Sequence, residues 1–164
     1  MKTKKIAFLG LFIALAMILS YIELQIPTFI PVPGIKLGLP NIVIIIVLYR
    51  FGWKEAVIIS IIRVLLVSAL FGTALSLLYS ISGATVSLLV MIILKKINKF
   101  SSVMVSVSGG IFHNIGQIGI AAFVMKTVEL LYYLPVLLIG GTVSGIIIGL
   151  LGAQVVKKLD KIEI

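Results

Sequence analysis

Arg63 stands in an otherwise uncharged stretch, Ala56–Phe71, that holds no acidic residue. Placing a lone guanidinium at bilayer depth costs at least about 2.5–3.5 kcal/mol, so such a residue faces a bundle interior or a wet cavity and holds something there. A second polar concentration is His113, Asn114 and Gln117, flanked by Gly109, Gly110, Gly116 and Gly119. His113 and Gln117, four residues apart, share a helical face, with Asn114 three residues from Gln117. These amides and the imidazole are costly against lipid and are expected to point inward, as an interhelical hydrogen-bond clamp or as ligand contacts. Lys36 and Asn41 flank Pro40, where a helix beginning would offer free backbone amides to an anion. With the hydroxyls of Tyr79, Tyr132 and Tyr133, the candidate binding groups are cationic or neutral. They suit an anionic or amphipathic small molecule better than a cation.

Several chemistries fail on inventory. Asp160 is the sole aspartate, so magnesium-diphosphate chemistry of the prenyl-synthase kind lacks its carboxylate clusters. There is no phosphate-binding glycine-lysine loop for ATP, and one histidine with five acids does not make a zinc site. A Ser-His-Asp arrangement lacks its acid. The absence of cysteine excludes disulfide and thiolate chemistry. The chain reads as a binder or a passive subunit that calls for no cofactor, not as an enzyme.

The elements that must position these groups are membrane spans. Hydrophobic residues make up 61% of the 164 and charged residues 12%, far from the balance of a soluble domain. Six apolar stretches, at about residues 6–22, 35–53, 56–71, 74–94, 103–125 and 130–156, predict an all-α polytopic bundle forming one transmembrane domain. The second reaches the roughly 20 residues of a span only by including Lys36 and Pro40, so its outer end is expected to be broken or half-exposed to water. With the N-terminus inside, eleven basic residues fall on the inner side and only Lys36 and Lys126 on the outer. That asymmetry predicts a multi-pass protein of a prokaryotic cytoplasmic membrane, with both termini cytoplasmic. The net charge of +9 lies in short clusters between spans, a pattern that argues against nucleic acid.

The proline-rich, apolar segment 23–34 is expected to lie over the bundle mouth as a lid or along the lipid surface. Gly141, Gly145, Gly149 and Ala153 form a small-residue ridge on the sixth span; Gly10 and Ala14 form a shorter one on the first, and Ser76, Ser80 and Ala84 one on the fourth.

Several segments also resemble a known family: Pro33–Asn41 (PGIKLGLPN), Arg63–Leu66 (RVLL), Leu70–Thr73 (LFGT), Ser76–Ser80 (SLLYS) with Gly83, His113–Gln117 (HNIGQ) and Tyr132–Pro135 (YYLP). They look like the Gx transporter family, whose members are often labelled heptaprenyl diphosphate synthase component I. That family in turn resembles the S components of energy-coupling factor (ECF) transporters, six-helix proteins that bind a vitamin or related nutrient. The resemblance implies a capping first loop, a transmembrane coupling protein and two ATPase subunits as partners, and docking of the coupling protein at Gly10 and Ala14. The expected substrate groups are Lys36, Asn41, Arg63, Tyr79, His113, Asn114 and Gln117. Two alternatives stand beside this reading: a non-catalytic membrane subunit associated with polyprenyl diphosphate metabolism, and a channel-like facilitator, which the bulky apolar lining disfavours.

Overall fold

The protein, as a computed structural model, is described over residues 2–26 and 38–161. The helices are α1 (Lys2–Gln25), α2 (Asn41–Arg50), α3 (Trp53–Phe71), α4 (Ala74–Ile97), α5 (Ser102–Met125) and α6 (Leu134–Leu159), the last entered through a 3₁₀ turn at Val128–Tyr133. No strand occurs among the described residues. The connections use ordinary stop and start chemistry. A reciprocal Thr73–Ser76 capping box opens α4, and Ser101 Oγ accepts from Met104 N–H to open α5. Gly52, at φ 116°, turns α2 directly back into α3.

Four helical segments are long and apolar enough to cross a membrane: Thr3–Gln25, Ala74–Ile97, Ser102–Met125 and the continuous stretch Val128–Leu159. α3 has 19 residues but carries Lys54, Glu55 and Arg63. The stretch expected as a second span, 35–53, contains a helix of only ten residues, or roughly 15 Å, about half a hydrocarbon thickness. The outer part of that stretch, and residues 27–34 of the expected lid, lie outside the described residues.

This short helix is the centre of the molecule. Six consecutive residues, Val43–Leu48, are buried, so α2 has no outward face. That is possible because isoleucine, valine and leucine fill these six positions, leaving no polar side chain to satisfy. α1, α3 and α6 pack around it, and Phe12, Ala16, Ile59 and Ile148 complete the core. The expected stretch is helical only from Asn41, a broken end rather than a half-wet one, since Gly38 and Pro40 are buried in protein.

α4, α5 and α6 form the second half of the bundle, and glycine sets their spacing. The ridge on α6 seats against α5, where Gly141 meets Gly110, Gly145 meets Val107 and Gly149 meets Val103. Large apolar side chains such as Leu11, Ile18, Ile61, Leu89, Ile93, Ile139 and Ile147 point away from the bundle, as a lipid-facing surface requires.

One end of the bundle collects polar contacts. Lys5 Nζ lies 2.5 Å from Glu55 Oε1, Arg50 lies 3.7 Å from Asp160, and Lys95 donates to the Leu48 carbonyl. The start of α1, the α2–α3 turn and the ends of α4 and α6 therefore share one end. Lys5, Arg50 and Lys95, three of the eleven basic residues expected on the inner side, meet there.

A methyl added at Gly145 would lie 2.6 Å from the Val107 Cα, a backbone atom that cannot yield locally, whereas Gly119 has open space around it. Gly145→Ala is expected to destabilise the protein by about 1–3 kcal/mol through overpacking. Gly119→Ala, which restores helix propensity, should be neutral or mildly stabilising. Thermal unfolding of both variants in the same detergent checks the contrast.

Candidate functional site

Along α1, Phe12, Ala16, Ser20 and Glu23 are buried at spacings of four, four and three, one continuous helical stripe. The stripe begins apolar and ends in a carboxylate only 6% exposed. Glu23 Oε1 accepts hydrogen bonds from the backbone N–H groups of Gly38 and Leu39, the latter at 3.2 Å. Gly38 has φ +81°, a left-handed conformation that brings the two successive amides to the same oxygen. The carbonyls of Gly38, Leu39 and Pro40 then accept from Asn41, Ile42 and Val43, winding the chain into α2. Glu23 is thus a remote cap, supplied by another helix, for amides that the start of α2 leaves over.

Arg63, at the middle of α3, is 8% exposed. Its Nε has no hydrogen-bond partner among the described residues. The Glu23 carboxylate joins the end of α1 to the turn into α2. The sequence reading found Arg63 and missed Glu23. The helical phase of α1 was the available signal, because Glu23 continues the stripe of Phe12, Ala16 and Ser20.

The α5 residues divide between two neighbours. Asn114 Nδ2 donates to the Leu137 carbonyl of α6 at 2.7 Å, an interhelical clamp. His113 and Gln117 instead face α4, where a methyl at Gly83 would lie 2.7 Å from Gln117 Cγ. Successive helical residues turn by about 100°, so neighbours in sequence meet different helices. Beside them Ser82 Oγ donates to the Gly116 carbonyl at 2.8 Å, closing the α4–α5 contact. Gln117 Nε2 has no hydrogen-bond partner among the described residues.

Asn41, His113 and Asn114 do come together, around a cavity also bordered by Ser87, Ser106 and Ser144. Its free volume is about 10 Å³, room for about one water and not for a nutrient-sized ligand. Arg63, Tyr79 and Gln117 do not border it. Tyr79 is buried on α4, while Tyr132 and Tyr133 are exposed on the 3₁₀ turn. Lys36 lies outside the described residues. Gly10 and Ala14 lie exposed on α1, and Gly10 has open space around it. A larger groove of about 340 Å³ runs between α3 and α4, bordered by Val57, Ile61, Val64, Ile81 and Leu88, with Ser60 and Thr85 its only hydroxyls.

A family model described as heptaprenyl diphosphate synthase component I matches residues 12–155. No curated protein and no solved structure matches the chain.

A buried donor left without its acceptor costs about 1–3 kcal/mol. Glu23→Ala takes the acceptor from two backbone amides and is expected to destabilise by at least that much. Denaturant unfolding of the variant beside wild type measures the loss.

Proposed function

The chain belongs to the heptaprenyl diphosphate synthase component I family, and from that premise we propose that it is the substrate-binding membrane subunit of an ECF-type uptake transporter. Its cargo is an anionic or amphipathic small molecule of the vitamin or cofactor-precursor class. In this reading all six helices belong to a multi-pass domain of the cytoplasmic membrane, with both termini inside. α2 contributes a half-length helix held within the bundle.

The observation that carries the proposal is the buried Arg63 guanidinium with its unbonded Nε. A charge at that depth is expensive unless function retains it. Arg63 would supply charge to the cargo, and Asn41, His113 and Gln117 directional hydrogen bonds. Asn114 is already engaged with α6 and would act by holding α5 in place. The one-water cavity implies that α5 and α4 or α6 must separate before cargo can reach His113. Exposed Gly10 and Ala14 offer a smooth strip for a coupling protein, with two ATPase subunits supplying the energy.

A second reading rests on the α3–α4 groove. Its volume and almost wholly apolar lining fit an isoprenoid chain, consistent with a non-catalytic membrane subunit that serves polyprenyl diphosphate metabolism.

Affinity purification from a native membrane separates the two. A coupling protein and ATPases among the recovered partners support the transporter subunit, and a soluble prenyl synthase supports the alternative. Mass spectrometry of the same preparation is expected to find a bound anionic metabolite, lost in Arg63→Gln while the variant remains folded. Undiminished occupancy in that variant removes Arg63 from the binding site.

A further inference from the structure

The groove of about 340 Å³ between α3 and α4 has a buried floor and exposed walls. Val64, Ala84 and Leu88 form the floor, and Ile61, Leu65 and Leu89 stand out from it as the walls. It follows α3 from Val57 to Leu65 and α4 from Ile81 to Ile92, about 12 Å and about 16 Å of helix. One leaflet of hydrocarbon is about 15 Å deep. A lipid-facing groove of this kind is filled by a chain. Left empty it forfeits dispersion contacts, and its lining offers water only two hydroxyls, Ser60 and Thr85.

Charge selects the chain. Val57 and Ile92 border the same groove, and one helical turn beyond each brings a lysine to its mouth. Lys54 lies three residues before Val57 and seven before Ile61; Lys96 lies four after Ile92 and seven after Leu89. Both therefore continue the groove faces. Both are exposed and enter no ion pair among the described residues. Glu55, the acid beside Lys54, is held by Lys5 at 2.5 Å, and Lys95 turns to the Leu48 carbonyl. Trp53, exposed on the same turn with Lys54 Nζ 5.7 Å from its ring centre, is the kind of side chain that sits at headgroup level.

We propose that this groove is a binding site for an anionic glycerophospholipid, with one acyl chain between α3 and α4 and its phosphodiester at Lys54 and Lys96. The occupant differs from the isoprenoid of the second reading. A diphosphate head is usually held through magnesium and carboxylates, and no cluster of acids occurs among the described residues. A phosphodiester carries a single negative charge, which two lysines at the membrane surface attract directly. The proposal rests on the multi-pass reading only for the setting of the helices in a bilayer, and on no reading of the cargo. Because α3 packs about α2 and α4 packs against α5, the bound chain ties the two halves of the bundle together.

The test uses the full chain purified in detergent and titrated with mixed micelles of dioleoyl phosphatidylglycerol or dioleoyl phosphatidylcholine. Native mass spectrometry counts the retained lipid, and thermal unfolding reads its effect on stability. The anionic lipid is expected to bind at least about tenfold more tightly than the zwitterionic one and to raise the unfolding temperature. Lys54→Gln and Lys96→Gln should each weaken it about fivefold, and the double variant should hold both lipids alike. Equal binding of the two lipids by wild type overturns the proposal, as does a folded double variant that keeps the preference. Thr85→Phe fills the groove from an exposed position and should abolish retention of either lipid. A folded Thr85→Phe that still retains phosphatidylglycerol puts the lipid elsewhere and overturns the site. Should that variant fail to fold, Ile61→Trp on the facing wall replaces it and is read the same way. Farnesyl diphosphate is the isoprenoid control: if it displaces phosphatidylglycerol at lower concentration, the groove belongs to the second reading and this proposal is overturned. No partner subunit or cargo enters the assay, so a positive result stands whether or not ATPases are recovered. A chain that stays in solution without detergent instead removes the multi-pass reading, and the lipid site with it.

Discussion

The hold of Glu23 on the amides of Gly38 and Leu39 is the constraint around which half of the bundle is arranged. A carboxylate buried in an apolar bundle must be hydrogen-bonded, and the amides that lead into a helix must find an acceptor. One contact meets both demands and fixes the end of α1 against the turn into α2. The same arrangement lets α2 begin at Asn41 without water, because its leftover amides already have an acceptor.

The other half of the bundle is organised by shape. Glycines on α4, α5 and α6 bring backbones into contact, and the hydrogen bonds of Asn114 and Ser82 lock the contacts that close approach makes. The result is a tight three-helix layer with a one-water cavity at its polar centre. The two halves meet at α2, which α6 approaches closely where Gly152 faces Ile45.

Parts of the candidate site were legible residue by residue. Arg63 and the α5 triplet stood out because charged and amide side chains are rare in apolar stretches. Their partners were harder to read. Asn114 and Gln117 look like one cluster at a spacing of three, yet α5 is sandwiched between α4 and α6, and the two amides turn to different sides. Glu23 looked like the first residue of an exposed loop because the apolar pattern was ended at Ile22. The helix in fact continues to Gln25, and one more turn carries the carboxylate inside.

The sequence by itself determined that the chain is helical and apolar, roughly where its long helices lie, which residues carry charge into the apolar stretches, and which glycines form packing ridges. These follow from composition, periodicity and capping, which are local properties. Tertiary structure alone decided that α2 is a buried half-length helix and that the α5 polar residues divide between two neighbours. It also decided that Glu23 turns inward to hold the amides of Gly38 and Leu39. The physical reason is that a charge's cost is set by what surrounds it. Segments distant in sequence supply those surroundings, and only folding brings them within reach.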